Sequence, residues 1–191
     1  MTHTTAAAMS GGVDSSAAAL LLLREGRELL GLTLRLFNGG EEGTDAAAVA
    51  AQLGFPHRTL DMRREFRSGV IDPFAAEYER GRTPNPCVLC NRAVKFGALL
   101  RKAEELGCGR LATGHYARAD YDAGAGRWLL KKAAHPDKDQ SYVLAMLTQE
   151  QLSRVLFPLG ELSKEEVRAV AQEAGLANAK RKESQDICFI P

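Results

Sequence analysis

The sequence predicts an α/β domain: a parallel, twisted sheet covered by helices on both faces, with a short helical extension at its C-terminal end. Three observations predict it. Short apolar runs of strand length alternate with helical patterns from Ala6 to Met62, and such alternation favours parallel strands joined by helical crossovers. Breakers punctuate the junctions at Gly26, Asn38-Gly39-Gly40, Gly54 and Pro56. The first junction, Met9-Ser10-Gly11-Gly12-Val13-Asp14-Ser15-Ser16, sets adjacent glycines and serines between a strand and a helix start. In open parallel sheets, junctions at the carboxyl ends of strands build the ligand site.

Ala6 to Ala8 reads as the first strand, and Ala17 to Leu23 as the first helix, which Gly26 closes. Leu29 to Phe37 is short and apolar enough for a buried strand. Thr44-Asp45 caps an Ala-rich helix that runs to Leu53, with Gly54 as its stop, and His57 to Met62 forms a third strand. Arg63 to Gly81 is amphipathic and helical, broken at Pro73. Pro84 and Pro86 stiffen Thr83 to Cys87 and bar a regular helix there. A long helix then spans Val88 to Leu106, and Gly107 ends it. Leu111 to Tyr116 is a strand running into a glycine turn whose end should lie near the first loop. Tyr116 to Lys132 forms a hairpin around Ala123 to Gly126. Ser141 to Leu147 and Gln149 to Leu156 are short helical runs, and Ser163-Lys164-Glu165-Glu166 is a capping box opening a helix that stops at Gly175. One domain is expected, its core sheet within about residues 1–135 and its helical extension within about 136–191.

Composition narrows the function classes. The 191 residues are 45% hydrophobic, which supports one sizeable core. Net charge is +1 from 25 basic and 24 acidic residues, so overall charge argues neither for nor against a polyanionic partner. No apolar run approaches a membrane span, and Met1 to Thr5 carries no basic stretch of a signal peptide, so a cytoplasmic protein without a membrane partner is expected. In that compartment Cys87, Cys90, Cys108 and Cys188 suggest thiols, metal ligands or redox chemistry rather than a disulfide framework.

The first junction has the chemistry of an anion site. Adjacent glycines let backbone approach a phosphate, and Ser10, Ser15, Ser16 and the first helical N–H groups supply donors. It lacks the Gly-Lys-Ser/Thr ending of a Walker A loop, and its glycines are adjacent, unlike those of G-x-G-x-x-G. The simpler alternative is a helix capped by Asp14 or Ser15 after a glycine turn.

The pattern S-G-G-V-D-S resembles the pyrophosphate (PP) loop of the ATP pyrophosphatases. Four further segments extend the likeness: G-R-T-P-N-P-C-V-L-C-N at 81 to 91, A-T-G-H-Y at 112 to 116, K-D-Q-S-Y at 138 to 142 and K-E-S-Q-D-I-C-F-I at 182 to 190. Together they resemble the tRNA-specific 2-thiouridylase family. The resemblance implies an adenine nucleotide alpha hydrolase-like fold and an enzyme that uses ATP and Mg2+. Such enzymes adenylate the C2 oxygen of the wobble uridine of tRNA and replace it with persulfide sulfur, releasing AMP and pyrophosphate. It also implies a sulfur donor such as a cysteine desulfurase or sulfur-relay protein. Carried across, Ala8, Met9, Ser10, Gly11, Gly12, Val13, Asp14, Ser15 and Gly114 bind ATP, and Leu34 flanks the adenine. Asn85, Pro86 and Cys87 touch the target base, while His115, Lys138, Asp139 and Gln140 contact tRNA. Cys90 is the nucleophile and Cys188 the persulfide carrier. The family usually continues into a small central domain and a C-terminal β-barrel, whereas this sequence stops at Pro191.

The residues support that chemistry independently. A uracil oxygen leaves poorly and AMP leaves well, so a phosphate loop beside thiols suits displacement of activated oxygen by sulfur. Cys90 sits early in a helix with Arg92 and Lys95 near it, and Cys188 follows Lys180, Arg181 and Lys182, so both are expected to be thiolate-rich near neutral pH. Cys108 reads as a small buried hydrophobe, the role that Cys90 and Cys188 would also have without their motifs. His115 alone could cap a strand, Lys138-Asp139-Gln140 could be a solvated turn, and the basic residues from Arg92 to Lys102 could be a solvated face or a phosphate-tracking patch. A wobble base must also be unstacked to react, and the stiff Pro84 to Pro86 segment suits a wall of its pocket. Cys87, where some relatives have Asp, makes a C-x-x-C pair. With Cys188 it admits either a [4Fe-4S] cluster on Cys87, Cys90 and Cys188 or a redox-active dithiol. Two rival functions share the loop: an amide-forming pyrophosphatase such as an NAD or GMP synthetase, and a non-catalytic nucleotide- and RNA-binding chain.

Overall fold

The structure, a computed structural model, describes residues 4–37, 43–179, 181 and 187–189. The breaker Asn38-Gly39-Gly40 and the tail residues Lys180, Lys182 to Asp186, Ile190 and Pro191 lie outside the described residues. Strands β1 (Thr5–Ala8), β2 (Leu29–Arg35), β3 (His57–Asp61), β4 (Arg110–Ala112) and β7 (Val155–Leu156) form one sheet in the order β3-β2-β1-β4-β7. Every neighbouring pair is parallel. Strands β5 (Ala117–Asp122) and β6 (Arg127–Lys132) form the expected antiparallel hairpin.

Side chains alternate across the sheet as the two-residue strand period requires. Ala7 and Leu29 face a core built with α1 (Val13–Arg24), α2 (Thr44–Leu53) and α8 (Lys164–Glu173). Ala6, Leu30, Leu32 and Leu111 face the opposite core, which holds Phe96, Leu99 and the hairpin. Helices therefore cover both faces, and α8 packs directly on α1. Phe96 and Leu99 are 1% and 0% exposed, and a fully buried side chain of this kind contributes about 1.5–3 kcal/mol.

Four local expectations are corrected. Helix α2 starts at Gly43, in a left-handed conformation with φ of 98°, so the N-cap position falls on a residue without a side chain rather than on Thr44 or Asp45. A Cβ on Gly43 would stand 2.7 Å from Thr59 Oγ1, so a glycine is needed on both counts. Pro73 does not break its helix: α3 (Arg63–Phe66) passes through a π-helical turn, Arg67–Ile71, into α4 (Asp72–Glu79). The turn takes up one extra residue, with Asp72 N–H bonded to Arg67 O, and Pro73 falls in the first turn of α4, where its missing N–H costs little.

Pro86, likewise, is the first residue of α5 (Pro86–Cys90), with Asn85 as the N-cap accepting Cys87 N–H at 3.0 Å. This helix continues through a π-helical stretch, Asn91–Leu99, into α6 (Leu100–Glu105). Finally, helix α7 (Gln149–Arg154) stops before Val155, because Val155 and Leu156 pair with β4 as the sheet's fifth strand. Two residues beyond 135, Val155 and Leu156, thus join the core sheet, and the other elements of the C-terminal segment are helical.

Candidate active site

A cavity of about 800 Å³ opens where β1, β2 and β4 end, and the glycine loop forms one wall. Helix α1 begins at Gly12 with no side-chain cap, so neither Asp14 nor Ser15 serves as one. The Ser15 and Ser16 hydroxyls instead donate back to Gly12 O at 3.0 and 3.1 Å, and Ser10 N–H donates to Ser15 Oγ at 3.2 Å. The first N–H groups of α1 have no intrahelical acceptor and carry the positive end of the helix dipole. The loop is thus preformed for an anion. Gly114 packs against it so closely that a Cβ there would lie 2.8 Å from Ser15 N and 2.9 Å from Asp14 C.

Asp14 knots distant segments together. Its Oδ1 accepts Lys164 Nζ at 2.6 Å and the Tyr116 hydroxyl at 2.9 Å, and Lys164 also lies 5.8 Å over the Tyr116 ring. Asn178 Nδ2 donates to Gly11 O and to Ser16 Oγ, both at 2.8 Å. Arg181 pairs with Asp45 beside the loop. Sequence reading missed Lys164, Tyr116, Asn178 and Arg181 as supports of this loop. Only the capping box hinted at one, by placing Lys164 in the first turn of α8.

A thiol and a lysine also line the cavity. These are Cys188 and Lys95, while Cys90, half-buried and not part of the lining, interacts electrostatically with both. The π-helical stretch matters here. In an α-helix Lys95 would be rotated about 140° from Cys90, whereas i→i+5 winding turns residues five apart towards one face. Cys188 is held by its neighbour Phe189, whose ring contacts Phe66 and Phe74 at centroid distances of 5.7 and 5.4 Å. Phe189→Ala is therefore expected to lower several-fold the yield of a Cys90–Cys188 disulfide under mild oxidation, read by mass spectrometry of non-reduced peptides. An unchanged yield would remove the anchoring role.

The expectation of thiolate-rich cysteines is reversed. Burial pushes the Cys90 thiol above its ordinary pKa, and the neighbouring Cys188 and Cys87 add to this against the pull of Lys95. Cys188 is raised in the same way, by burial and then Cys87. Raised values mean that both thiols are protonated at neutral pH and ionise as pH climbs. Alkylation of both thiols by iodoacetamide is thus expected to accelerate about tenfold per unit between pH 7 and 8; a flat profile would contradict it. His115 is pushed well below the usual histidine value by burial and then by Lys95, so its ring is neutral. It packs between Phe96 and Phe157, with Nδ1 2.7 Å from Thr113 Oγ1.

The predicted residues divide accordingly. Ala8, Met9, Ser10, Gly11, Asp14, Ser15, Leu34 and Gly114 all line the cavity. Gly12 and Val13 do not; Val13 is buried in the core. Of the residues assigned to tRNA, His115 and Gln140 line it too. Gln140 also braces Tyr116, accepting its N–H at 3.1 Å and donating to its carbonyl at 2.8 Å. Asp139 accepts from Ala133 N–H and from the Ser141 hydroxyl, both at 2.8 Å, so its carboxylate holds a turn. Asn85, Pro86, Cys87 and Lys138 lie outside this cavity. Cys108 is buried in the core. Among the described residues no group of three His, Cys, Asp or Glu side chains is arranged to hold a metal ion.

Residues 3–191 match the family described as tRNA methyl transferase HUP domain. The chain belongs to that family. Its relatives there include tRNA-specific 2-thiouridylase MnmA 2 of Thermoanaerobacter sp. (strain X514), 52% identical over 197 residues that cover 96% of this chain and 54% of the relative. The five-segment resemblance thus holds, and the chain spans about half the length of the curated relatives it matches. Two solved structures share the fold: a 4-thiouridine synthetase in complex with RNA and bound ATP (TM-score 0.59, 19% identity, 97% of this chain and 44% of that one) and the NH3-dependent NAD synthetase of Campylobacter jejuni subsp. jejuni NCTC 11168 (TM-score 0.53, 17% identity, 96% and 69%). The same parallel sheet occurs in a 4-thiouridine synthetase and in an NAD synthetase, so the fold alone does not choose between their reactions. Among the described residues no helix is long and apolar enough to cross a membrane.

Proposed function

We propose that the chain is the catalytic domain of a tRNA-uridine 2-sulfurtransferase. The observation that carries this reading is one cavity lined by both the glycine loop and Cys188, in a member of this family. ATP with Mg2+ lies against Ser10 to Ser15, and Leu34 flanks the adenine. The C2 oxygen of the wobble uridine attacks the α-phosphorus and pyrophosphate leaves; the loop has no P-loop lysine to direct cleavage at the γ-phosphate. The terminal sulfur of a Cys188 persulfide, loaded by a cysteine desulfurase or relay protein, attacks C2, and AMP departs with the oxygen. Cys90 thiolate then attacks the inner sulfur of Cys188, which frees the thiocarbonyl and leaves a Cys90–Cys188 disulfide for an external dithiol to reduce. The free thiols of Cys87, Cys90 and Cys188 favour this persulfide route over an amide-forming reaction, in which they would have no role. The protein is then expected in the cytoplasm, where tRNA and reductant are found.

The test is incubation with radiolabelled ATP, unmodified tRNA and a persulfide donor, followed by nucleoside and nucleotide analysis. 2-Thiouridine with AMP and pyrophosphate supports the proposal. ADP as the main product, or pyrophosphate without thiolation, would contradict it.

A further inference from the structure

Two carboxylates line the cavity beside the glycine loop, Asp14 and Asp45. Alone they would repel a triphosphate. Each is matched by a cation from the C-terminal segment: Lys164, at the start of α8, pairs with Asp14, and Arg181 pairs with Asp45. The first pair is the more telling. The Lys164 side chain is only 6% exposed, whereas Asp14 is 30% exposed and open to the cavity. A buried lysine is costly unless it is paired, so its place behind a loop carboxylate calls for an explanation. Arg181 reaches the loop from another direction, with Nη1 3.5 Å from Gly11 O.

We infer that Lys164 and Arg181 are positioning residues that neutralise Asp14 and Asp45, making the loop selective for highly charged nucleotides. The inference rests on the proposed nucleotide site and deepens it, since it concerns which nucleotides that site accepts. Lys164 acts through Asp14: it holds the carboxylate against Tyr116 and cancels its charge, so that phosphates meet the α1 dipole rather than a bare anion. The segment from residue 164 to 181 therefore conditions the ATP site from behind, although it follows the glycine loop by some 150 positions.

The test is a charge series. ATP, ADP, AMP and adenosine are titrated calorimetrically into the unaltered chain, Lys164→Met, Arg181→Met and Asp45→Asn/Arg181→Met, with melting curves for each. Charge compensation predicts a graded loss in the single variants, at least about tenfold for ATP, smaller for ADP and AMP, and under about twofold for adenosine. The double variant should recover most of the Arg181→Met loss, because the repelling carboxylate is gone too. Arg181→Met removes a solvent-exposed pair and should keep the fold, so it decides the matter if Lys164→Met melts early. Equal losses for all four ligands, or no loss, would overturn the inference and leave the nucleotide reading standing. Failure of the unaltered chain to bind any of the four would overturn that reading instead.

Discussion

Replacing Cys90 or Cys188 by alanine is expected to cut 2-thiouridine formation by at least about 10³-fold, the scale on which loss of a nucleophile is felt. ATP affinity should stay within about threefold, because the proposed nucleotide site rests chiefly on the loop backbone and α1. The two variants should fail at different steps. Cys188→Ala has no residue to carry the sulfur, so it should accumulate adenylated tRNA without taking up persulfide. Cys90→Ala should load Cys188 normally and then stall with tRNA joined to the protein through that sulfur. Non-reducing gels of single-turnover reactions separate the two outcomes. Cys108→Ala, buried in the core 3% exposed, should leave turnover within about twofold and lower stability only modestly. A Cys188→Ala protein that thiolates at the normal rate would overturn the carrier role outright.

Gly114→Ala is expected to have the next largest effect, and for a reason of packing rather than ligand contact. The added Cβ would lie 2.8 to 3.1 Å from Ser15 N and from Asp14 C and O, which are backbone atoms with no rotamer to relieve the clash. Either β4 or the start of α1 must move, at a cost of about 1–3 kcal/mol. Shifting the start of α1 misaims the N–H groups proposed to bind phosphate, so ATP affinity should fall at least about tenfold. Gly12→Ala is the control: φ there is −82°, and the nearest neighbour of its Cβ would be the Ser10 hydroxyl at 3.4 Å, a tolerable contact. Comparable losses in the two variants, by melting and by ATP titration, would show that close packing at Gly114 is not what matters.

Most of the fold was legible because its signals are local. The alternation of apolar strands with helical runs, the stops at Gly26, Gly54, Gly107 and Gly175, and the capping box at Ser163 all depend on neighbours a few residues apart. The errors arose where long-range pairing overrode local preference. Val155 and Leu156 continue a helical pattern in sequence, yet β4 offers an open sheet edge, and pairing there satisfies their backbone groups better than a frayed helix end. Pro73 and Pro86 looked like breaks because proline lacks a donor, but Pro86 sits at a helix start where none is needed, and Pro73 follows a π-helical turn whose extra residue accommodates the missing bond.

By itself, then, the sequence determined the α/β class, the glycine loop and the family, since each is written in runs of contiguous residues. Only the tertiary structure decided how the site is charged. Lys164 on Asp14, Arg181 on Asp45 and Asn178 on Gly11 join positions more than 130 residues apart, with no periodicity to announce them. The thiols illustrate the same limit. Nearby basic residues suggested lowered pKa values for Cys90 and Cys188, but proximity in sequence says nothing of burial, and the loss of hydration on packing outweighs a lysine five positions away.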